Sequence, residues 1–212
     1  MKQSVRAHYD LLLERYPALE AQGKHILSMF EIMADAYYAG GKLLVCGNGG
    51  SAADAQHIVG ELMKGVALPR KLAKEEREQL ASCEDAEYLC EHLQGALPSI
   101  SLVGELSLMT AYANDVSAEL AMAQQVYGLG RQGDALLAIS TSGNSANICY
   151  AVQVAKARGM TVIGLTGASG GKMKTLCDVL LNVPDHVTYR VQELHLPVYH
   201  MLCLALENEF FA

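Results

Sequence analysis

A histidine and a glutamate lie four residues apart at His57 and Glu61, shortly after a glycine-rich segment. In a helix, this spacing places both side chains on one face, one turn apart. Such a pair can divide the acid and base work of a proton transfer or ligate one divalent metal, and it also occurs on solvated helix surfaces without either role. Asp54 lies one turn earlier. Because the predicted helix begins at the glycine-rich segment, which is of a kind that binds ligands, we favour a functional role for His57 and Glu61.

Two short segments rich in glycine and serine are typical of loops that bind phosphate. Residues 47–51 (GNGGS) follow the apolar run 43–46, and residues 140–145 (STSGNS) follow the apolar run 135–139. Glycine lets a backbone approach a ligand closely, a helix start offers free N–H groups with positive partial charge, and hydroxyls add donors. At the ends of strands of one sheet, the two loops predict a pocket for a phosphorylated small molecule.

A predicted helix over 188–209 carries polar side chains in an apolar stretch, namely Gln192, Glu193, His195 and His200. A buried polar group without a partner costs about 1–3 kcal/mol, so these side chains are either hydrogen-bonded in the core or turned toward the pocket. Gln192 and His200 are separated by roughly 12 Å of helix rise. A compact site that uses both therefore needs extended side chains, an irregular helix start or a second subunit.

Apolar strands and helical patterns alternate along the chain from residue 42 onward. We predict strands at 42–46, 99–103, 135–140, 161–166 and 178–182, and helices at 51–64, 107–113, 118–128, 146–158 and 188–209. Near-continuous apolar strands separated by helices indicate a parallel sheet covered on both faces, that is, an α/β fold.

The length of the chain is enough for one full core, and we predict a single domain over 1–212. Residues 1–39 have helical spacing with a break near Tyr16, which predicts a helical pair packed beside the main fold or used in a subunit interface. The charged segment 71–94 interrupts the alternation. It predicts a helical insertion of one or two amphipathic helices on the surface, with a lid or partner surface as the alternative.

The formal net charge of −7 argues against broad binding of nucleic acid, which needs a basic face. None of the six cysteines forms a C-x-x-C pair, which favours buried free thiols in a reducing compartment. The chain shows neither a basic-then-apolar leader nor an apolar stretch long enough for a bilayer. We expect a cytoplasmic protein with no nucleic-acid or membrane partner.

Several stretches carry a resemblance to a known family. They are CGNGGSAADAQHIVGEL at 46–62, AND at 113–115, GRQGDALLAISTSGNSANI at 130–148, GMTVIGLTG at 159–167 with GGKM at 170–173, and RVQELHLPVYH at 190–200. With these residues the chain resembles the SIS (sugar isomerase) family, and within it the phosphoheptose isomerase branch. STSGNS alone marks the wider fold, whereas its combination with His57, Glu61, Gln192 and His200 is far more specific to the isomerase branch.

The resemblance implies a three-layer, flavodoxin-like α/β/α sandwich with a five-stranded parallel sheet, assembled as a homotetramer. It implies interconversion of a phosphorylated ketose and aldose, most simply sedoheptulose 7-phosphate and glycero-manno-heptose 7-phosphate, through an enediol and without a redox cofactor. Glu61 and His200 would be the catalytic acid–base pair, and His57, Glu61, Gln192 and His200 would hold zinc, one ion per subunit. The implied substrate-binding residues are Asn48, Gly49, Gly50, Ser51, Asp54, Asn114, Asp115, Ser140, Thr141, Ser142, Ser145 and Gln192.

Helix geometry adds a prediction about assembly. Metal–ligand bonds are only about 2 Å long, and one regular pair of helices has difficulty bringing all four predicted ligands to one point. We therefore predict an active site at a subunit interface, with a polar or pocket-lining residue supplied by a neighbouring subunit.

The chain departs from the family pattern at three places. The segment 71–94 is longer than the usual connection, Tyr189 stands where close relatives carry an aspartate, and Ala52 and Ala53 replace a polar pair. Two alternatives to the isomerase stay open. One is a non-catalytic SIS protein that binds a sugar phosphate or regulates replication initiation, and the other is an isomerase or lyase of amino-sugar phosphates. The joint presence of Glu61 and His200 favours the isomerase.

Overall fold

The structure, a computed structural model, describes residues 2–212 and contains one five-stranded sheet in which every pairing is parallel. The strands are Leu43–Cys46 (β1), Ser99–Ser101 (β2), Ala135–Ile139 (β3), Thr161–Thr166 (β4) and Val179–Asn182 (β5). Their order across the sheet is β2-β1-β3-β4-β5. All five predicted strands are confirmed, with ends that differ by two residues at most.

Nine α-helices surround the sheet within the described residues. They are Gln3–Arg15 (α1), Gly23–Tyr38 (α2), Gly50–Met63 (α3), Lys74–Gln79 (α4), Ala86–His92 (α5), Leu106–Tyr112 (α6), Ala121–Leu129 (α7), Ala146–Ala157 (α8) and Thr188–Phe211 (α9). Short 3-10 turns at Pro17–Gln22, Ala118–Leu120 and Gly171–Thr175 and a π-helical turn at Ala113–Ser117 join them. Where a single helix over 118–128 was predicted, its first turn is a 3-10 turn and the α-helix begins at Ala121.

The central strands β1, β3 and β4 are buried on both faces because alternate side chains point into two separate cores, whereas the edge strands β2 and β5 are only partly buried. Leu43 and Val45 of β1 belong to the core under α1, α2, α3 and α9, whereas Leu44 and Cys46 belong to the core under α7 and α8. Side chains alternate between the faces of a strand, so a strand that is apolar at every position needs cover on both sides. The predicted three-layer sandwich is confirmed.

Helix α9 lies against α1, α2 and α3, so it is buried on more than one side. Its backbone is helical from Thr188 to Phe211 although Pro197 lies inside it. Proline has no N–H, so one intrahelical hydrogen bond is missing there. The helix nevertheless stays continuous, and the roughly 12 Å rise between Gln192 and His200 is therefore present in the structure.

The segment 71–94 forms two short helices, α4 and α5, neither of which contributes a buried residue. An isolated antiparallel bridge between Lys71 and Gln94 closes its base. The segment therefore leaves and rejoins the domain at one point, so its helices add surface without reordering the sheet.

The cysteines are only partly as predicted. All six are free, and Cys46, Cys149 and Cys203 are buried, but Cys83 is exposed and Cys90 and Cys177 are intermediate. Cys83 and Cys90 lie on the surface segment between Lys71 and Gln94, where no core covers them. Among residues 2–212, no helix combines the length and apolar character that crossing a membrane requires.

Candidate active site at the carboxyl ends of the strands

The serine loop begins immediately after β3, and α8 begins at its far end. The hydroxyl oxygens of Ser140 and Ser145 lie 3.1 Å apart, and Ser142 Oγ accepts a hydrogen bond from the Asn144 N–H at 3.1 Å. Gly143 has a φ of +65°, and a Cβ there would lie 2.1 Å from the Gly170 carbonyl oxygen. Only glycine fits this turn, which curls three hydroxyl side chains into one short loop before a helix start.

The glycine loop after β1 lies beside the serine loop. The side-chain amides of Asn48 and Asn147 exchange two hydrogen bonds, each 2.9 Å long, which join the two loops. A Cβ on Gly50 would lie 2.5 Å from Gln192 Nε2, so the absence of a side chain admits the Gln192 amide. Ser51 is buried in the first turn of α3. The neighbouring positions of β1 and β3 thus bring the two predicted loops together, as their strand ends predict.

A second group of polar side chains lies further along α3 and α9, and we call it the imidazole cluster. It consists of Asp54, His57, Glu61, Tyr199 and His200. The His57 and His200 rings pack edge to face with centroids 5.0 Å apart, and His57 Nε2 lies 3.7 Å from Glu61 Oε1. Tyr199 Oη lies 3.1 Å from His57 Nδ1 and donates to Asp54 Oδ1 at 3.3 Å. One chain therefore brings both predicted catalytic residues to one place.

Burial shapes the protonation of this cluster. It lowers the pKa of His200, and the neighbouring His57 lowers it further while Glu61 opposes the shift. Burial also raises the pKa of Asp54, against the hydrogen bond from Tyr199 and the nearby His57. Tyr199 has its pKa raised by burial and then by Asp54. His200 is consequently neutral at pH 7, a state in which imidazole can both accept and donate a proton.

The C-terminal end of α3 is held by a buried ion pair, which we call the helix-end clamp and which consists of Arg70 and Glu207. Arg70 Nε donates to Glu207 Oε1 at 2.7 Å, and both side chains have no exposed surface. The remaining guanidinium nitrogens donate to the carbonyl oxygens of Leu62 and Glu61. Arg70 thereby satisfies carbonyl groups that the last turn of a helix leaves unpaired.

The Glu207 carboxylate of the clamp also accepts hydrogen bonds from three consecutive backbone N–H groups, those of Val66, Ala67 and Leu68. Burial alone would raise the pKa of Glu207, but these bonds and Arg70 outweigh it and lower the pKa. Arg70 itself has a φ of +40°, which is unusual for a residue with a side chain. The clamp keeps that strained backbone in place.

The four predicted metal ligands do not form one cluster in this chain. Gln192 lies over Gly50 at the start of α3, whereas His57, Glu61 and His200 lie two turns further along the helix pair. Within residues 2–212, no group of three or more His, Cys, Asp or Glu side chains has the geometry of a metal site. The zinc prediction therefore rests on residue types and not on an assembled set of ligands.

Two predicted substrate-binding residues, Asn114 and Asp115, are exposed, and so is Tyr189, which departs from the family pattern. Asn114 and Asp115 lie in the π-helical turn after α6, and the only side-chain hydrogen bond that either makes within the described residues joins them to each other at 2.8 Å. Tyr189 is 61% exposed at the start of α9. These positions are free to contact a substrate or a second chain, and this chain alone does not bring them into the site.

Several residues of the site were missed at the level of sequence. The sequence pattern makes Tyr199 one more apolar position of α9. Its position next to His200 and one turn after His195 is the signal that could have identified it. Asn147 lies two residues after the last serine of the serine loop and pairs with Asn48. Arg70 and Glu207 are 137 residues apart, and nothing local connects them.

Comparisons with known proteins agree with the geometry. A model of the SIS domain family matches residues 10–88 and 82–167. A phosphoheptose isomerase from Rhodospirillum rubrum is 36% identical over 98% of this chain and 98% of its own, and one from Clostridium acetobutylicum is 38% identical over 100% of this chain and 97% of its own.

Solved structures are similar as well. Phosphoheptose isomerase GmhA from Neisseria gonorrhoeae superposes with a TM-score of 0.74 at 35% identity, covering 96% of this chain and 97% of its own. A phosphoheptose isomerase from Francisella tularensis gives a TM-score of 0.76 at 30% identity, with 96% of both chains covered. The chain therefore belongs to the SIS domain family, in its phosphoheptose isomerase branch.

Proposed function

We propose that the protein interconverts sedoheptulose 7-phosphate and glycero-manno-heptose 7-phosphate by acid–base chemistry through an enediol. The observation that carries the proposal is the convergence of Glu61 and His200 around His57, where α9 packs on α3, the helix that leads away from the glycine loop. The relatives named phosphoheptose isomerase support the substrate class. A sugar-phosphate isomerase needs a phosphate-binding loop and two groups that transfer protons. The chain has candidates for both, namely the serine loop and the pair Glu61 and His200.

The chemistry moves two protons and leaves the formula unchanged. Glu61 removes a proton from the carbon beside the ketone and later returns it to the former carbonyl carbon. His200, neutral because of burial, protonates the ketone oxygen and accepts the proton of the neighbouring hydroxyl, so that an enediol forms between the two steps. Proton transfer by positioned groups contributes about 10²–10⁴-fold each. The phosphate, held by Ser140, Ser142 and Ser145, supplies remote binding energy that orients the reacting carbons.

We also propose that the complete site lies between subunits of a homotetramer. Glu61 lies eleven positions after Gly50 on α3, a rise of about 16 Å. A seven-carbon sugar has six carbon–carbon bonds of about 1.5 Å, so its carbon chain reaches at most about 9 Å. This mismatch favours a site in which the phosphate loop of one chain meets Glu61 and His200 of another.

A groove between α1 and α9 also supports the tetramer. Leu11 and Leu196 line it with exposed surface, and His200 is also among its lining residues. An apolar groove beside a catalytic group suits a subunit contact.

Zinc at His57, Glu61, Gln192 and His200 stays a prediction, as do the lack of a redox cofactor and a cytoplasmic location. Imidazole nitrogen with carboxylate or amide oxygen suits zinc, which would polarise the carbonyl when bound. Since Gln192 lies apart from the other three in this chain, no step above is assigned to a metal. Metal analysis of the purified protein tests the prediction, and a protein without stoichiometric zinc contradicts it.

The function is tested by incubating the protein with a panel of phosphorylated ketoses in heavy water, with and without a chelator. We expect the aldose product from sedoheptulose 7-phosphate, identified by NMR. Because the proton held by Glu61 can exchange with heavy water before it is returned, we also expect deuterium at the carbon that receives the proton. Sugar phosphates with amino groups provide the comparison for the amino-sugar alternative. If no phosphorylated ketose is converted, the proposal fails. Conversion of an amino-sugar phosphate then favours the amino-sugar alternative, and conversion of neither class favours a non-catalytic SIS protein.

Assembly is tested with two inactive variants, Glu61→Gln and the triple variant Ser140→Ala, Ser142→Ala, Ser145→Ala. Mixed oligomers recover part of the activity if one site combines the phosphate loop of one chain with Glu61 of another. Mixing Glu61→Gln with His200→Ala is the matched control, and no recovery is expected because both residues lie together in one chain. A fully active monomer in sedimentation overturns the interface proposal.

A further inference from the structure

Tyr199 links Asp54 and His57 inside the imidazole cluster. The tyrosine is 1% exposed, its hydroxyl oxygen lies 3.1 Å from His57 Nδ1 and 3.3 Å from Asp54 Oδ1, and its ring packs edge to face on that of His57 with centroids 5.5 Å apart. A phenol has one proton, so the hydroxyl can donate to only one of these two neighbours. The direction of the other hydrogen bond then follows.

Two arrangements satisfy the distances. In the first, Tyr199 donates to His57 Nδ1, and Asp54 loses its donor, since Asp54 Oδ2 is buried with no hydrogen-bond partner within residues 2–212. A carboxylate with no donor for either oxygen is costly in a half-buried place. In the second, Tyr199 donates to Asp54, and His57 Nδ1–H donates to the Tyr199 oxygen. The second arrangement gives Asp54 Oδ1, the Tyr199 hydroxyl and His57 Nδ1 a partner each, whereas the first leaves both Asp54 oxygens without a donor, so the second is favoured.

We propose that Asp54 and Tyr199 are positioning residues that hold His57 as the tautomer protonated on Nδ1. His57 Nε2 then carries a lone pair and lies 3.7 Å from Glu61 Oε1. A sugar hydroxyl that lies within hydrogen-bond distance of both acceptors can donate its one proton to either of them. Asp54, predicted from the resemblance to bind substrate, acts in this arrangement through Tyr199. The catalytic consequence rests on the proposed function, whereas the tautomer does not.

The tautomer is measured in 15N-labelled protein by two-bond 1H–15N correlation at about pH 8.5, where an ordinary imidazole is neutral. Loss of its signals in His57→Asn identifies His57. We expect the native protein to show protonated Nδ1 and unprotonated Nε2. Asp54→Ala frees the Tyr199 hydroxyl to donate to Nδ1 and should move His57 to the tautomer protonated on Nε2. Asp54→Asn keeps an oxygen acceptor for Tyr199 and should keep the native tautomer.

Tyr199→Phe removes the acceptor and preserves the packing of the ring, so we expect a mixture of the two tautomers. Tyr37→Phe is the matched control, because Tyr37 is also buried and hydrogen-bonded, to Ser99 Oγ at 2.8 Å, without contacting His57. It should leave the His57 signals unchanged. A native His57 protonated on Nε2 overturns the proposal even if no variant folds. Folded Asp54→Ala and Tyr199→Phe proteins with native signals overturn it as well.

Kinetics give a second measurement. For a histidine that ligates a metal, removing the hydrogen-bond partner of its other ring nitrogen costs about 10–100-fold in metal affinity or activity, and we expect a factor of the same order for His57. Tyr199→Phe should therefore lower kcat by about that factor with KM changed less than about twofold, and Asp54→Asn should restore most of the loss seen in Asp54→Ala. A native protein without isomerase activity refutes the proposed function and leaves the tautomer assignment to stand on its spectrum.

Discussion

The helix-end clamp and the imidazole cluster lie at different places along the same contact between α3 and α9, and they differ in how completely their polar atoms are satisfied. Arg70 and Glu207 have no exposed side-chain surface, and the carboxylate accepts from three backbone N–H groups and the guanidinium. In the cluster, the His57 side chain is 44% exposed, and Asp54 Oδ2 has no hydrogen-bond partner in the described chain. Polar groups that hold a fold use their capacity internally, while those that act on a ligand keep some of it free.

The largest expected effect is a loss of turnover when the imidazole cluster is altered at Glu61. Glu61→Gln removes a base while keeping its shape, so we expect turnover to fall by about 10²–10⁴-fold with an unchanged melting temperature. Glu31→Gln, an exposed glutamate on α2, is the control and should leave both quantities unchanged. Steady-state kinetics with thermal melting make the measurement. Turnover within about threefold of native would remove Glu61 from the mechanism.

The clamp should show the reverse pattern. Glu207→Ala leaves the Arg70 charge buried without a partner, and breaking such a pair typically lowers the free energy of unfolding by about 3–5 kcal/mol. Chemical denaturation measures this loss, and Glu75→Ala on the exposed helix α4 is the control. Turnover per folded molecule should change far less than in Glu61→Gln. Native stability in Glu207→Ala would mean that the clamp contributes little to the fold.

His195 is a buried polar residue that belongs neither to the helix-end clamp nor to the imidazole cluster. It has no exposed surface, and its ring nitrogens have no hydrogen-bond partner within residues 2–212. Burial lowers the pKa of His195 to about 4, and the nearby Thr166 backbone opposes part of this shift. The folded state therefore binds this proton less readily than the unfolded state does.

It follows that the contribution of His195 to stability is complete above about pH 6.5 and is lost as pH falls toward 4, a loss of about 3 kcal/mol. His195→Leu should remove this part of the acid sensitivity. Denaturation of both proteins across that range makes the measurement, with pH 8 as the reference condition. Parallel stability curves for native and variant would show that His195 does not titrate in this way.

The smallest effect concerns one hydroxyl of the serine loop. Ser142→Ala removes one phosphate donor, and a single hydrogen bond of about 0.5–1.5 kcal/mol corresponds to a rise in KM of about two- to twelvefold. The fold should be unaffected because the Ser142 side chain is exposed. Ser82→Ala in the surface segment is the control. An unchanged KM in Ser142→Ala would place the phosphate away from this hydroxyl.

The strands were predictable to within two residues because β1, β3, β4 and β5 are mainly apolar runs and β2 begins the run SISLV at 99–103, patterns that the chain carries locally. The two loops were predictable for the same reason, since glycines and serines directly follow β1 and β3. The irregular turns at residues 113–120 were not predictable, because no residue signature there marks the change from α-helix to π-helical and 3-10 turns.

The polar partners of the site were out of reach of local patterns. Tyr199 and Asp54 are 145 residues apart, and Arg70 and Glu207 are 137 residues apart. The Tyr199 side chain has a hydroxyl at the end of an apolar ring, so it fits an apolar stripe equally well as a core residue or as a hydrogen-bonding one. Only the packing of α9 on α3 decides between them.

By itself the sequence determined the layers, the parallel sheet, the loops at its carboxyl edge and the identities of the residues able to move protons, because periodicity and residue type are local properties. The tertiary structure alone decided that His57, Glu61 and His200 converge while Gln192 lies apart over Gly50. It also decided that Arg70 closes the end of α3 and that Tyr199 joins Asp54 to His57. Those outcomes depend on the relative axial position of two packed helices, which is set by side-chain packing between distant parts of the chain.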